Sequence, residues 1–161
     1  MFFKRRSKVV ELKKRTCVYV SDKHKHIVIA SLSQNDAGII YEQNTCRSVD
    51  LPVDVAELGA LIINSFDEYS VKDANLRDHK ASEWPAFKHS KSKSVKAFEQ
   101  DYIRISIDGA NEKNIILLFE GQPHKNSELT VNASTSYYAD TDEIGQRLFS
   151  VYEACLTGKI F

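Results

Sequence analysis

Two stretches of the chain share one pattern of polar and apolar positions, and the pattern predicts an α-helix in both. In the first stretch, Asp54 stands before the apolar positions, and Glu57 follows three residues later, as in a helix N-terminal capping box. The positions that then recur at helical spacing are Val55, Leu58, Ile62, Ser65, Phe66 and Tyr69. Such a stripe is typical of one helix face packed on a core.

The same pattern returns near the C-terminus, 86 positions later. The matched residues are Asp54, Glu57, Leu58, Gly59, Ile62, Phe66 and Asp67 with Asp140, Glu143, Ile144, Gly145, Leu148, Tyr152 and Glu153. Agreement at this many positions favours an internal duplication. Each glycine costs its helix about 1 kcal/mol relative to alanine. The matched pair therefore predicts a close approach of two backbones at the glycines.

Runs rich in β-branched and alternating residues precede each helix and predict four strands in each half. The runs are 16–20, 26–32, 39–42 and 46–51, then 102–107, 114–120, 129–132 and 135–138. Short polar turns between the runs favour antiparallel pairing. The run 114–120 is apolar from Ile115 to Phe119 without a break, which predicts a strand covered on both faces.

The predicted fold is α+β and consists of duplicated ββββα units. Two antiparallel sheets are expected to pack together and against two helices, because each sheet must bury one apolar face. A single domain is predicted for residues 1–161, with pseudo-repeat halves of about 8–69 and 94–157 joined by a crossover loop, 70–93.

Composition places the chain among ordinary globular proteins. It has 161 residues, 42% of them hydrophobic, and a formal net charge of zero. The charge alternates along the chain: residues 1–26 and 79–97 are basic, and the segments between and after them are acidic. This alternation argues against a nucleic-acid partner. No apolar run approaches the roughly 20 residues of a membrane span, so no membrane contact is predicted.

The sequence contains no catalytic or cofactor-binding motif, and neither an enzyme activity nor a cofactor is predicted. His24 and His26 would share a strand face, as two metal ligands do, but no third ligand is visible. A solvated turn is the favoured interpretation, and no metal site is predicted. The three cysteines lack CxxC spacing, which favours reduced thiols.

Acidic side chains flank the end of the first predicted helix. The simpler interpretation is a solvated face, and the sharper one is a surface for a basic partner. On the second interpretation the carboxylates are joined by two aromatic anchors. The candidate binding residues are Asp67, Glu68, Tyr69, Asp73, Asp78 and Trp84. For Trp84, which precedes Pro85, anchoring of the loop on the body of the protein is the alternative.

Three segments carry a resemblance to a known family. The strand and turn 49–53 leading into Glu57-Leu58-Gly59, the later segment 96–99, and the final helix with Glu143-Ile144-Gly145 resemble the immunity proteins of bacterial contact-dependent growth inhibition systems. The resemblance covers most of the chain. It implies a cytoplasmic, non-enzymatic protein that binds the toxin domain delivered by a neighbouring cell and blocks its nuclease activity, often by covering the active site. The expected toxin is a ribonuclease, whose phosphate-binding site is cationic, so its inhibitor is expected to offer carboxylates.

The repeated ββββα plan is also similar to the Whirly fold of single-stranded DNA-binding proteins, a likeness of fold alone. The alternative function is therefore a single-stranded nucleic-acid-binding protein. It would use Lys4, Arg5 and Arg6 together with the basic stretch 88–96. An oligonucleotide-binding assay separates the two functions: tight binding that weakens steeply with salt would support the nucleic-acid alternative.

Overall fold

A computed structural model of the chain describes residues 12–126 and 128–159. Lys4, Arg5 and Arg6 lie outside the described residues. The strands are β1 (Arg15–Ser21), β2 (His26–Gln34), β3 (Ile40–Asp50), β4 (Ser70–Val71), β5 (Ile103–Gly109), β6 (Ile116–Gly121) and β7 (Val131–Ser136). The helices are α1 (Val55–Asp67), α2 (Pro85–His89), α3 (Val95–Asp101) and α4 (Thr141–Thr157).

The strands form one sheet in the order β3-β2-β1-β5-β6-β7, with antiparallel neighbours throughout. The two-residue strand β4 lies beside β2 and runs parallel to it. The α+β class is confirmed. The predicted pair of packed sheets is wrong, because β1 pairs with β5 from Arg15 opposite Asp108 to Val20 opposite Ile103. This pairing joins the two halves edge to edge.

Each half contributes three strands of the long ladder, where four were predicted. The runs 39–42 and 46–51 are parts of one strand, β3, and the runs 129–132 and 135–138 merge similarly in β7. The polar residues 43–45 do not end β3, because β3 is an edge strand and tolerates polar side chains. The pairing register of β3 instead shifts between Ala30 and Leu32 of β2.

Both long helices occur where the sequence predicts them. The side chain of Asp54 accepts a hydrogen bond from the Glu57 backbone N–H at 2.9 Å, and α1 begins at the next residue. Helix α4 follows Asp140 and ends at Gly158, whose φ of 66° is left-handed. A residue with a left-handed backbone commonly ends a helix, and glycine adopts this conformation without strain.

Helices α1 and α4 pack side by side on one face of the sheet, the helix face. A Cβ atom placed on Gly59 would lie 1.7 Å from the carbonyl oxygen of Thr141, and one on Gly145 would lie 2.1 Å from that of Val55. The predicted close approach of backbones at the glycines is therefore confirmed. The core beneath the helices is formed by the alternating residues of the strands, among them Val18, Val20, Ile27, Ile29, Ile103, Ile105, Ile107, Leu117 and Phe119.

Residues 70–93, the crossover segment, carry more structure than the predicted loop. They include β4, a 3-10 turn at Ala81–Glu83, and α2. Together with α3 they cover the opposite face of the sheet over the first three strands. The described residues leave the same face of β6 open, because Ile116 and Leu118 are 49% and 42% exposed. The prediction that the run 114–120 is covered on both faces is wrong.

Candidate functional site

Aromatic side chains hold the crossover segment and α3 on the opposite face of the sheet. Trp84 meets Phe98 edge to face with ring centres 4.9 Å apart, and Phe98 lies 5.1 Å from the ring of Tyr19 on β1. Tyr102 adds a further ring, 5.0 Å from Phe98. Phe98 and Tyr102 are buried, whereas Trp84 is half-buried at the edge of the cluster. Burial of these large rings stabilises the attachment.

Three adjoining cavities line the border between this cover and the sheet, with volumes of about 530, 720 and 380 Å³. The first and second share Tyr41 and Glu42, and the second and third share Trp84 and Arg104. Together they form the crossover groove. It extends from Asp73 at one end to the open face of β5 and β6 at the other. This groove is the candidate functional site.

Glu42 of β3 is the central carboxylate of the groove. Its Oε2 accepts hydrogen bonds from the Tyr19 hydroxyl at 2.6 Å and from Trp84 Nε1 at 2.8 Å, and its Oε1 accepts one from the Ala86 backbone N–H at 3.0 Å. The carboxylate therefore ties the crossover segment to two strands. With three donors already bound to it, Glu42 stabilises the wall of the groove and does not offer a free base.

Arg104 of β5 forms the floor between the second and third cavities. Its Nε donates to the Cys17 sulfur at 2.9 Å. Burial raises the pKa of the Cys17 thiol to about 11, so this acceptor is neutral at physiological pH. The pKa of the neighbouring Tyr19 hydroxyl is also raised, chiefly by burial. The guanidinium thus rests on uncharged groups.

The first three predicted binding residues make contacts within the protein. Asp67 accepts a hydrogen bond from the Tyr137 hydroxyl at 2.9 Å and lies 3.4 Å from the Lys14 ammonium. Glu68 forms an ion pair with Arg47, and the hydrogen bond from Arg47 holds the pKa of Glu68 below its usual value. Tyr69 is only 6% exposed, so the structure places it beneath the surface and not on it as a contact residue.

The other three predicted residues lie on or beside the crossover groove. Asp73 is exposed and lines the first cavity together with Glu68. Asp78 is exposed and precedes His79, which lines the first and second cavities. Trp84 lies between the second and third cavities. The structure therefore brings Glu68, Asp73 and Trp84 to one groove. Asp67 lines none of its three cavities and is held at the end of α1.

Sequence reasoning missed Glu42 and Arg104, although each carried a signal. Both are charged residues inside predicted strands, and Arg104 is one of the polar positions that alternate with Ile103, Ile105 and Ile107. A charge at such a position faces away from the core. The sequence does not reveal that the crossover segment covers this face, and so it does not reveal the groove.

The histidine pair is held by separate partners. His24 Nε2 lies 2.9 Å from an Asp101 carboxylate oxygen, and His26 Nδ1 lies 2.9 Å from the Tyr102 hydroxyl. Burial is the main cause that lowers the pKa of His26. Within residues 12–126 and 128–159, no group of three or more metal-ligating side chains is placed to hold an ion. No helix in this described part is long and apolar enough to cross a bilayer.

No family model and no curated protein matches the sequence. The fold does match solved structures. One is a protein of unknown function from Neisseria meningitidis, with a TM-score of 0.64 and 14% identity over 93% of this chain and 97% of that one. Another is a chain of the CdiA-CT/CdiI toxin and immunity complex from Yersinia pseudotuberculosis, with a TM-score of 0.64 and 13% identity over 90% of this chain and 98% of that one. At these identities the likeness establishes a shared α+β fold.

Proposed function

We propose that this chain is an immunity protein that binds and neutralises a toxin domain of a contact-dependent growth inhibition system. The observation that carries the proposal is the fold likeness to a chain of a toxin and immunity complex, which extends over nearly the full length of both chains. The sequence resemblance supports the same family from different information, namely the strand, turn and Glu-Leu-Gly helix around residues 49–59.

The crossover groove supports a role in binding over one in catalysis. Its central carboxylate, Glu42, is committed to three internal donors, and the Cys17 thiol beneath Arg104 is held neutral by burial. A general base or a nucleophile needs a free, suitably ionised group, and neither Glu42 nor Cys17 is one. The groove also lies beside exposed apolar residues of β6, a combination that suits contact with another protein.

The proposed partner is a nuclease domain, and a ribonuclease is the specific expectation. A site that holds RNA phosphates is cationic, so carboxylates on the inhibitor would speed encounter and cover that site. Asp73 and Asp78 are the exposed carboxylates available for this at the first end of the groove, with Trp84 as the aromatic contact. Asp67 and Glu68 would also face the toxin, although Lys14 and Arg47 partly neutralise their charges. Tyr69, which is buried, would hold this surface in place without touching the toxin.

The proposal is tested by growth rescue. The proposal expects the reading frame directly upstream to encode a large exoprotein, and the C-terminal domain of that protein is expressed in the cytoplasm of a bacterial host as the toxin. Co-expression of this chain, also without an export signal, is expected to restore growth and to stop degradation of cellular RNA seen on gels. A chain that neither binds the domain nor restores growth would refute the proposal. Salt-sensitive binding of a 20-mer oligothymidylate would instead support the nucleic-acid alternative.

We also propose that the fold arose by duplication of one unit within a single domain. The order of elements supports this proposal, because each half consists of three strands of the sheet followed by a long helix. The two sets of strands join where β1 pairs with β5. The glycine contacts are reciprocal: Gly59 meets residue 141, and Gly145 meets residue 55. Likeness to the Whirly fold stays a prediction from the sequence.

A further inference from the structure

The open part of the opposite sheet face holds one basic side chain. Arg104 is the only lysine or arginine in β5, β6 and β7. None of the ion pairs in the described part of the chain involves Arg104. The side chain is exposed where it lines the 380 Å³ cavity at the end of the crossover groove.

The orientation of the guanidinium is fixed from below. Its Nε donates to Cys17, whose Cα lies on the neighbouring strand in register with Ser106. The two terminal nitrogens form the end-on fork that matches the two oxygens of a carboxylate. An arginine held by a neutral acceptor keeps its full charge for a second, anionic acceptor.

The surroundings of Arg104 are those of an interface pocket. Trp84, Phe98 and Tyr102 form aromatic walls, while the exposed carboxylates of Glu99 and Glu120 lie at the rim. Beyond the rim, the open face continues over Ile116 and Leu118, which are exposed apolar side chains on the same side of β6 as Glu120. Aromatic residues and arginine are the types that contribute most to protein interfaces.

We propose that this cavity receives an acidic side chain from a loop of the toxin domain, whose carboxylate pairs with Arg104 while neighbouring apolar residues cover Ile116 and Leu118. This inference rests on the proposed function and adds a second contact of opposite charge to it. The acidic end of the groove, at Asp73, would face basic residues of the toxin. At the other end, Arg104 would pair with an acidic side chain of the toxin and so fix the orientation of the toxin.

The charges around the cavity distinguish a protein from a nucleic acid as the occupant. A single strand brings one negative charge with each nucleotide. Lys80 and Lys88 line the second cavity, but beyond Arg104 the strand would pass Glu99 and Glu120 with no further lysine or arginine on β5, β6 or β7. A protein loop can place one carboxylate at Arg104 and apolar or basic residues elsewhere. The observed mixture therefore fits a protein surface.

The test measures binding of the upstream-encoded toxin domain by titration calorimetry. Arg104→Ala is expected to weaken binding roughly 10- to 100-fold, as for truncation of an interface hot spot. Arg104→Lys keeps the charge but loses the fork, so an intermediate affinity is expected. The matched control is Arg147→Ala in α4 on the helix face, where Arg147 lies 3.8 Å from Glu143. This control should bind as the wild type does.

Each outcome has a defined consequence. Folding of every variant is checked by the near-ultraviolet circular dichroism of Trp84 and by thermal unfolding. If the wild type binds the domain and Arg104→Ala binds equally well, the carboxylate site is refuted while the proposed function stands. If the wild type does not bind, the proposed function fails, and the inference fails with it. Oligothymidylate binding that depends on Arg104, or a wild-type dimer that Arg104→Ala dissociates, would assign the cavity to another occupant and overturn the inference.

Discussion

Substitution of Gly59 by alanine tests the packing of the two long helices. In an unhindered helix interior, the change would stabilise the protein by about 1 kcal/mol, because alanine is the better helix former. In this chain the new methyl carbon would lie 1.7 Å from the Thr141 carbonyl oxygen and 2.6 Å from its carbonyl carbon. The two effects have opposite signs, so the sign of the measured change decides between them.

The structure sets the magnitude through the atoms that must move. An ordinary carbon–oxygen contact is about 3.4 Å, and the obstacle is backbone at the start of α4, which cannot rotate away as a side chain would. The helices must therefore separate locally by more than 1 Å, which loosens Leu58 and Ile62 against Ile144 and Leu148. Overpacking of this kind costs typically 1–3 kcal/mol and sometimes more. Because the obstacle is backbone at 1.7 Å, we expect a cost of about 3 kcal/mol, at the upper end of that range, and a net destabilisation of about 2 kcal/mol after the gain in helix propensity.

The assay is urea unfolding followed by far-ultraviolet circular dichroism, with an unchanged m-value as evidence of a common unfolded state. For a chain of this size, about 2 kcal/mol corresponds to a fall in Tm of roughly 4–8 °C. Gly145→Ala should behave similarly, since its methyl carbon would lie 2.1 Å from the Val55 carbonyl oxygen. The double variant should lose less than the sum, because one separation relieves both contacts. A Gly59→Ala protein as stable as the wild type, or more stable, would refute the close approach.

Three further predictions concern the groove and the cover of the sheet. Burial favours neutral His26 and lowers its pKa in the folded protein, so the free energy of unfolding should fall as pH drops below 6.5, the ordinary pKa of histidine. His26→Gln should therefore lose less stability between pH 7.5 and pH 5.5 than the wild type does in urea titrations. Glu42→Ala leaves three donors without their acceptor and should cost about 2 kcal/mol and shift Trp84 fluorescence, whereas unchanged fluorescence would contradict the contact. Charge reversal at Asp73 and Asp78 should weaken toxin binding and make its salt dependence shallower, and unchanged affinity would remove this end of the groove from the interface.

The local features of the fold could be predicted from the sequence because they depend on local chemistry. Asp54 caps α1 through a hydrogen bond to a residue three positions away, and Gly158 ends α4 through its own backbone conformation. The matched glycines also gave a correct tertiary prediction, since their cost in helix propensity needs a compensating contact. Strands β1, β2 and β5 were likewise visible as β-branched runs.

The pairing of the halves could not be predicted, because it depends on contacts distant in sequence. Alternation along β5 shows that Ile103, Ile105 and Ile107 face the core, but it does not show that Ile103 lies beside Val20. The unbroken apolar run 115–119 predicts that β6 is covered on both faces, but only the inward residues of β6 are buried in the described structure. The same lack of information hid the site, since Arg104 and Trp84 are 20 residues apart in the chain and share a cavity only through the crossover segment.

The failed prediction for β6 is itself informative about function. A sheet face that stays open normally carries polar side chains, because exposed apolar residues cost solvation and favour aggregation. On β6, Ile116 and Leu118 occupy this face, while its neighbours on β7 are Ser134 and Ser136. The first half buries its equivalent surface under the crossover segment, and the described part of the second half has no such cover. A partner that docks along the crossover groove and extends over β6 would bury these two residues together with Arg104. This would explain why an apolar strand lies at the surface.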